Sequence, residues 1–117
     1  MSLDLSKYIN KKYDDTHYNC LHFAVEIYRD LTGVDMSTQV SGLLKGKSQR
    51  HVDIKKLKQF KWLAEPTDPC LAIMHGDELH AGIYHQSKII HITESGIQNI
   101  APHFAEIRHG RIKYYAI

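Results

Sequence analysis

The sequence predicts an α+β fold in which N-terminal helices precede an antiparallel sheet. Three observations support this prediction. Apolar residues recur with helical spacing in the first half of the chain, Pro66 and Pro69 interrupt that pattern, and short stretches with β-branched residues follow to the C-terminus. Strands that are separated by short turns favour antiparallel pairing over repeated βαβ units.

The length and composition predict one domain over residues 1–117. A chain of 117 residues, of which 43% are apolar and 24% charged, is typical of a single packed core and excludes disordered, collagen-like and coiled-coil chains. No apolar run approaches the roughly 20 residues that span a bilayer. The N-terminus lacks the basic and then apolar pattern of a secretion signal, so we expect no signal peptide and no transmembrane segment.

The segment from Cys20 to Leu31 is the most regular helix in the sequence. Its apolar residues form one broad stripe, at positions 20, 23, 24, 27, 28 and 31. Gly33 stands where a C-terminal cap belongs, and residues 14–19 are rich in side chains that cap helix N-termini. Cys20 is therefore expected in the first turn, where the helix dipole and the backbone N–H groups favour a thiolate.

Two weaker helical patterns flank this helix. Residues 3–13 predict a short lead-in helix with Ser2 as the candidate N-cap, and residues 34–52 predict a polar loop with at most one helical turn. Residues 53–62 predict a further helix with its lysines turned outward. Its inner face would carry three apolar side chains: Ile54, Leu57 and Phe60.

Five strands are predicted in the second half of the chain. They cover residues 70–74, 79–85, 88–93, 96–100 and 111–117. The second and third strands flank Gln86-Ser87 and pair as a hairpin in which the numbers of facing residues sum to 173. Loops of two or four residues both fit this register. Because Gln-Ser is a poor two-residue turn, the four-residue loop is favoured.

The hairpin aligns two histidines. With either loop, His80 lies opposite Thr93. His91 then lies opposite Gly82, so both imidazoles share one face of the hairpin as diagonal neighbours with Cβ atoms about 7 Å apart. A three-residue loop would place the two histidines on opposite faces.

One thiol and two imidazoles are the groups of a nucleophilic enzyme site. If the first turn of the Cys20 helix packs against the hairpin, His80 can take the thiol proton and later protonate a leaving amine. His91 can hold the His80 ring in its working tautomer, and the Cys20 N–H can help to bind an oxyanion. Cys70 lies in an apolar run and is interpreted as a small core residue, and both cysteines are expected to be thiols.

Two stretches and one later histidine resemble the NlpC/P60 superfamily of papain-like cysteine peptidases: Tyr18-Asn19-Cys20-Leu21-His22-Phe23-Ala24, His80-Ala81-Gly82-Ile83-Tyr84, and His91. The resemblance covers roughly residues 13–117 and is strongest to the compact forms encoded by tailed bacteriophages and prophages. It implies a papain-like fold with Cys20 as the nucleophile, His80 as the general base and acid, and His91 as the orienting third member. It also implies that Tyr13 or Tyr18 lines the active site, and that neither a metal nor an organic cofactor is needed.

The sequence departs from the family pattern beside the cysteine. The family commonly has Asp before its Cys and Ser-Gly after it, where this chain has Asn19 and Leu21-His22. The turn before the histidine strand is usually of the Pro-Gly-Asp type in the family, and this chain has Pro69-Cys70 without the Gly-Asp.

The resemblance implies hydrolysis of amide bonds in the stem peptides of bacterial cell walls, particularly next to D-glutamate. The implied partners are a cell-wall peptide substrate and other phage tail proteins. The protein would then act in the virion tail, where it opens the wall during genome entry, or in the host cytoplasm during tail assembly.

Basic side chains concentrate between Lys45 and Lys61. Seven lysines and arginines accompany one acidic residue there, for a net charge of +6, whereas the whole chain carries only +2. This basic segment is expected to be a solvated face, or a surface that contacts anionic wall polymer or an acidic tail partner. Phe60 and Trp62 are the only aromatic residues among or beside these lysines, which argues against nucleic-acid binding.

Three alternatives stay open. A non-catalytic phage tail protein could keep the papain-like fold as a scaffold. A metal site would gather His17 and His22 with the three catalytic candidates, although this spacing matches no familiar zinc pattern. An acyltransferase or transglutaminase-like enzyme would share the first half-reaction of a peptidase.

Overall fold

The structure is a computed structural model that describes residues 3–14, 18–45, 51–52, 54–76 and 78–117, with the side chains of 44–45, 51–52 and 54 outside the description. The helices of the described residues are a 3-10 helix at Leu5–Tyr8, α1 at Cys20–Thr32, α2 at Ser37–Val40, α3 at Ile54–Leu57 and α4 at Pro102–His109. The strands are β1 at Leu44–Lys45, β2 at His51–Val52, β3 at Lys61–Leu63, β4 at Cys70–His75, β5 at Leu79–His85, β6 at Lys88–Thr93, β7 at Gly96–Ile100 and β8 at Arg111–Ala116.

Six strands form one antiparallel sheet in the order β3-β8-β4-β5-β6-β7, and β1 and β2 form a separate antiparallel pair. This arrangement confirms the predicted α+β class and the antiparallel sheet. The order of elements is less segregated than predicted, because β1, β2 and β3 come early in the chain and α4 lies between β7 and β8.

The sheet is covered on both faces. Helix α1 packs against β5 and β6, whereas α4 packs against β4, β6 and β8. Because side chains alternate along a strand, each face has its own apolar cluster. The sheet residues buried on the α1 face are Leu71, Ile73, Leu79, Ala81, Ile83, Ile90, Ile92 and Tyr115. The cluster on the α4 face contains Ala72, Met74, Ile89, Ala105 and Ile112.

The β5–β6 hairpin has the predicted register and a shorter loop than predicted. Ile83 faces Ile90 and His85 faces Lys88, so facing numbers sum to 173. The loop is therefore only Gln86-Ser87, and the predicted four-residue loop is wrong. Both loop residues have positive φ, of 50° and 64°, as a type I′ turn requires.

A distant carboxylate supports this turn. Asp68 accepts the Gln86 N–H at 2.9 Å, and its other oxygen lies 2.6 Å from the Nδ1 of His85. These contacts come from outside the hairpin, so they are invisible in the local Gln-Ser sequence. They help to explain why two residues with little intrinsic preference for positive φ adopt it here.

Several predicted helix boundaries are corrected. The lead-in helix is a single 3-10 turn capped by Asp4, and Ser2 lies outside the described residues. The helix predicted over 53–62 is shorter: α3 ends at Leu57, and the last part of the segment forms β3. Strand β3 forms because it pairs with the edge of β8. Trp62 lies opposite Tyr115 in this pair.

Helix α4, at Pro102–His109, lies in a segment for which no element was predicted. Within the described residues, no helix combines the length and the apolar character that a membrane crossing requires.

Candidate active site

Cys20 is the first residue of α1, as predicted. The N-cap is Asn19, whose side-chain oxygen accepts the N–H groups of Leu21 at 3.0 Å and His22 at 3.1 Å. The His22 Nδ1 accepts the Asn19 N–H in return, at 3.0 Å. This reciprocal capping box fixes the point at which the helix starts, and with it the position of the thiol.

The sulfur of Cys20 lies against β5. Its Sγ accepts the N–H of Ala81 at 3.3 Å. The Ala81 nitrogen is bonded to the carbonyl carbon of His80, so the thiol lies beside the strand residue that the sequence offers as a base. The first turn of α1 therefore packs against the hairpin, which is the condition set by the sequence prediction.

This contact is possible because β5 and β6 separate at that point. In a two-residue hairpin the pair flanking the loop is hydrogen-bonded, so alternation directs the Ala81 N–H toward β6. The β5–β6 ladder ends at the Ile83–Ile90 pair, however, and the sulfur takes the place of a β6 carbonyl.

Three histidine rings cluster near the point where β5 and β6 separate. They belong to His80, His91 and His109. The ring centroids of His80 and His91 are 6.1 Å apart, so the two rings share a face as the hairpin register predicts. His109, the last residue of α4, lies closer to both, at 4.5 Å from His80 and 4.8 Å from His91. No sequence prediction included His109.

A signal for His109 is present in the sequence. Pro102 suits the first position of a helix, and Gly110 suits the position after its end. Together they predict a helix that ends at His109, whereas no local pattern places that end beside the hairpin.

His91 is fully buried and neutral. The pKa of its imidazole is lowered to about 3, first because burial penalises the charged form and then because His109 and His80 would add like charge. Gln98, its partner on β7, acts in the opposite direction. Burial and the neighbouring Arg108 also lower the pKa of His109.

Two clefts have candidate site residues in their lining. One, of about 440 Å³, has Tyr13, Glu78, His80 and His109 in its lining. The other, of about 480 Å³, is lined among others by Tyr18, Glu26 and the two neighbours of Cys20 in the chain. The two tyrosines offered by the sequence thus line two different clefts.

The Tyr18 hydroxyl stays protonated. Burial of the ring raises its pKa, and the nearby Glu26 carboxylate raises it further. A protonated phenol is a hydrogen-bond donor, and the Glu26 carboxylate is its acceptor here.

Cys70 is the buried first residue of β4, and neither cysteine is in a disulfide. Burial raises the pKa of the Cys70 thiol. This environment agrees with the prediction of a core residue, since a buried apolar setting disfavours the reactive thiolate.

His17, one residue of the metal-site alternative, lies outside the described residues. His22, another, has its Nδ1 engaged in the cap of α1. Across the part of the chain that the structure describes, no group of three or more His, Cys, Asp or Glu side chains is arranged to hold a metal ion.

Comparisons with models of known families, with curated proteins and with solved structures give no match to this chain.

Proposed function

We propose that the protein is a cysteine peptidase of the papain-like NlpC/P60 type that hydrolyses amide bonds in peptidoglycan stem peptides. One observation carries the proposal. The Cys20 sulfur, in the first turn of α1, lies 3.3 Å from the backbone nitrogen that adjoins His80. A thiol at a helix N-terminus beside an imidazole is the pair that cysteine-based acyl transfer requires.

In the proposed reaction, His80 takes the proton of the Cys20 thiol, and the thiolate attacks the amide carbon. The tetrahedral intermediate collapses to a thioester and expels the amine, which receives the proton from His80. Water, deprotonated by His80, then hydrolyses the thioester and releases the acid and the thiol.

The oxyanion of each tetrahedral intermediate needs hydrogen-bond donors. The start of α1 directs backbone N–H groups and the positive end of the helix dipole toward the sulfur. The Cys20 N–H, in the first turn of α1, is the helix donor proposed for the oxyanion.

His91 is proposed as the orienting third member. A buried neutral imidazole can restrict the His80 ring without placing a second positive charge beside the imidazolium that forms during catalysis. Tyr13 and Tyr18, which line two different clefts, are proposed to contact the substrate.

The choice of a cell-wall peptide as substrate rests on the motif resemblance, as does the proposed association with a phage tail. The mechanism uses neither a metal nor an organic cofactor. Other phage tail proteins are the proposed protein partners.

The experiment is a digestion of purified muropeptides, followed by mass spectrometry. The wild-type protein should produce shortened stem peptides, and the Cys20→Ala variant should not. Cys70→Ala is the matched control, because it removes the other buried thiol and should leave the products unchanged. Identical product profiles for the wild type and Cys20→Ala would refute the proposal.

A non-catalytic tail protein is the second candidate, and one observation favours it. Cys20 is only 2% exposed, and a buried thiol that accepts an N–H bond can serve packing alone. In that case Cys20→Ala would lower stability while wild-type protein leaves muropeptides intact.

A further inference from the structure

We infer that His109 is a positioning residue for the His80 imidazole, an inference that rests on the proposed function. In the proposed mechanism, one histidine, His91, is enough to orient the base. His109 nevertheless lies against both His80 and His91, with ring centroids 4.5 Å and 4.8 Å away, while those two rings are 6.1 Å apart.

Among the described residues, the His109 ring lies closer to the His80 ring than the His91 ring does. His80 and His91 meet nearly edge to face, at an interplanar angle of 73°. His109 is tilted by 58° against His80 and lies at the short end of the range for contacting rings. His109 in turn lies against the buried His91, with ring centroids 4.8 Å apart.

Two glycines hold the backbone of His109 in place. A Cβ on Gly76 would lie 2.4 Å from the His109 carbonyl oxygen, and a Cβ on Gly110 would lie 2.4 Å from the His75 oxygen. Only glycine permits such close backbone contact. The end of α4 is thus packed directly on the connection that leads from β4 into β5, four residues before His80.

Burial and one neighbouring cation favour a neutral ring at this position. Burial and Arg108 lower the pKa of His109, whereas the C-terminus of α4 favours a cation. The open side of the cluster carries two carboxylates and one phenol: Glu78, Glu94 and Tyr13. A neutral His109 supports the His80 ring without repelling the imidazolium that catalysis requires.

The test compares His109→Ala and His109→Gln with His103→Ala, an exposed histidine on the same helix that serves as the matched control. The first readout is the iodoacetamide labelling rate of Cys20 across a pH series. We expect His109→Ala to slow labelling about tenfold near neutral pH and to move the midpoint of the pH profile. Partial recovery is expected in His109→Gln, which keeps a planar polar group.

A second variant displaces His109 without removing an imidazole. Gly76→Ala pushes the His109 carbonyl away, so it should slow Cys20 labelling in the same way. The labelling rate of Cys70 monitors global folding and should stay constant in every variant. An unchanged Cys20 profile in both His109→Ala and Gly76→Ala would overturn the inference, as would an equal change at Cys70.

A measurement that does not depend on the reactivity of Cys20 tests this inference separately from the proposed function. Nuclear Overhauser contacts between the His80 ring and the Cys20 β-protons should be present in the wild type and weakened in His109→Ala, even if no peptidase activity exists. Unchanged contacts would overturn the positioning role. An inactive wild type with contacts that depend on His109 would contradict only the proposed function.

Discussion

Asn19 sets the position of Cys20 by accepting the backbone N–H groups of Leu21 and His22. NlpC/P60 proteins commonly have Asp where this chain has Asn19. Both residues are strong N-caps, because each offers a side-chain oxygen to the first N–H groups of a helix. Asn at this position therefore caps the helix as Asp would.

Removal of this cap should destabilise the protein. We expect Asn19→Ala to lower the free energy of unfolding by about 1 kcal/mol, since the Leu21 and His22 N–H groups lose their acceptor. Asn19→Asp should retain most of that stability. Urea denaturation measures both variants, and equal losses for the two would show that the cap is not the cause.

The buried His91 makes folding sensitive to acid. The pKa of His91 is about 3 in the folded protein, against an ordinary value of 6.5. Above the ordinary value both states are neutral, so His91 contributes no pH dependence. Below it the unfolded chain binds a proton that the folded protein does not, and stability falls by up to about 1.4 kcal/mol per pH unit until the folded pKa is reached.

This dependence is measured by urea denaturation at a series of pH values from about 7, just above the ordinary pKa of 6.5, down to about 4, which lies above the folded pKa of about 3. His91→Asn should show a shallower decline on acidification than the wild type. His103→Asn, which changes an exposed histidine, should follow the wild type. Parallel curves for the wild type and His91→Asn would show that the pKa of His91 is not lowered in the folded protein.

At the scale of elements, the close packing of β5 against β6 depends on Gly82. A Cβ there would lie 2.8 Å from the Ile90 oxygen and 3.1 Å from the His91 Cβ. We expect Gly82→Ala to cost about 1–3 kcal/mol in unfolding free energy, because backbone atoms must shift. It should also move the two histidine rings relative to each other.

Gly33→Ala is the comparison for this prediction. Gly33 caps α1 with φ of 80°, but no atom lies within 4 Å of a Cβ placed there. Its penalty should be about 1 kcal/mol, from the left-handed backbone alone, with no change at the histidines. Thermal unfolding and histidine NMR spectra measure both variants. An undisturbed histidine spectrum in Gly82→Ala would contradict the packing account.

Elements with strong local patterns are the ones that the sequence predicts well. Helix α1 and the β5–β6 hairpin follow from apolar periodicity, a glycine cap and period-two alternation. Strand β3 is mispredicted because its state depends on β8, a partner about fifty residues away in the chain. Local helical spacing in 53–62 carries no information about that partner.

The candidate site shows the same limit. Cys20, His80 and His91 follow from their positions on a helix terminus and on one hairpin face. His109 approaches them through contacts between Gly76, Gly110 and the backbone of other elements, and no spacing in the sequence specifies such long-range packing.

At the scale of the whole molecule, one surface region is basic. Lys55 and Lys58 are exposed on α3 and just after it. Nearby, a cleft of about 570 Å³ contains Lys58, Trp62 and Lys113 in its lining. Residues 46–50 and 53 of the basic segment lie outside the described residues.

Charge reversal tests whether this surface binds anionic wall polymer. The triple variant Lys55→Glu, Lys56→Glu and Lys58→Glu should bind purified wall teichoic acid about tenfold more weakly than the wild type, and the difference should shrink at high salt. Lys88→Glu, at the exposed start of β6, is the control for net charge. Equal affinity in the triple variant and the wild type would remove the proposed role.

In the proposed mechanism, the Cys20 thiol is activated by its position beside His80. The two cysteines provide a matched comparison, because Cys20 is 2% exposed and Cys70 is 1% exposed. Any large difference in their reactivity must therefore come from their chemical environments rather than from access alone.

The most direct measurement is the rate of iodoacetamide labelling of each cysteine near neutral pH, followed by peptide mass spectrometry. We predict that Cys20 labels at least about tenfold faster than Cys70, and that His80→Ala removes most of this difference. Equal, slow labelling of the two thiols in the wild-type protein would contradict the claim.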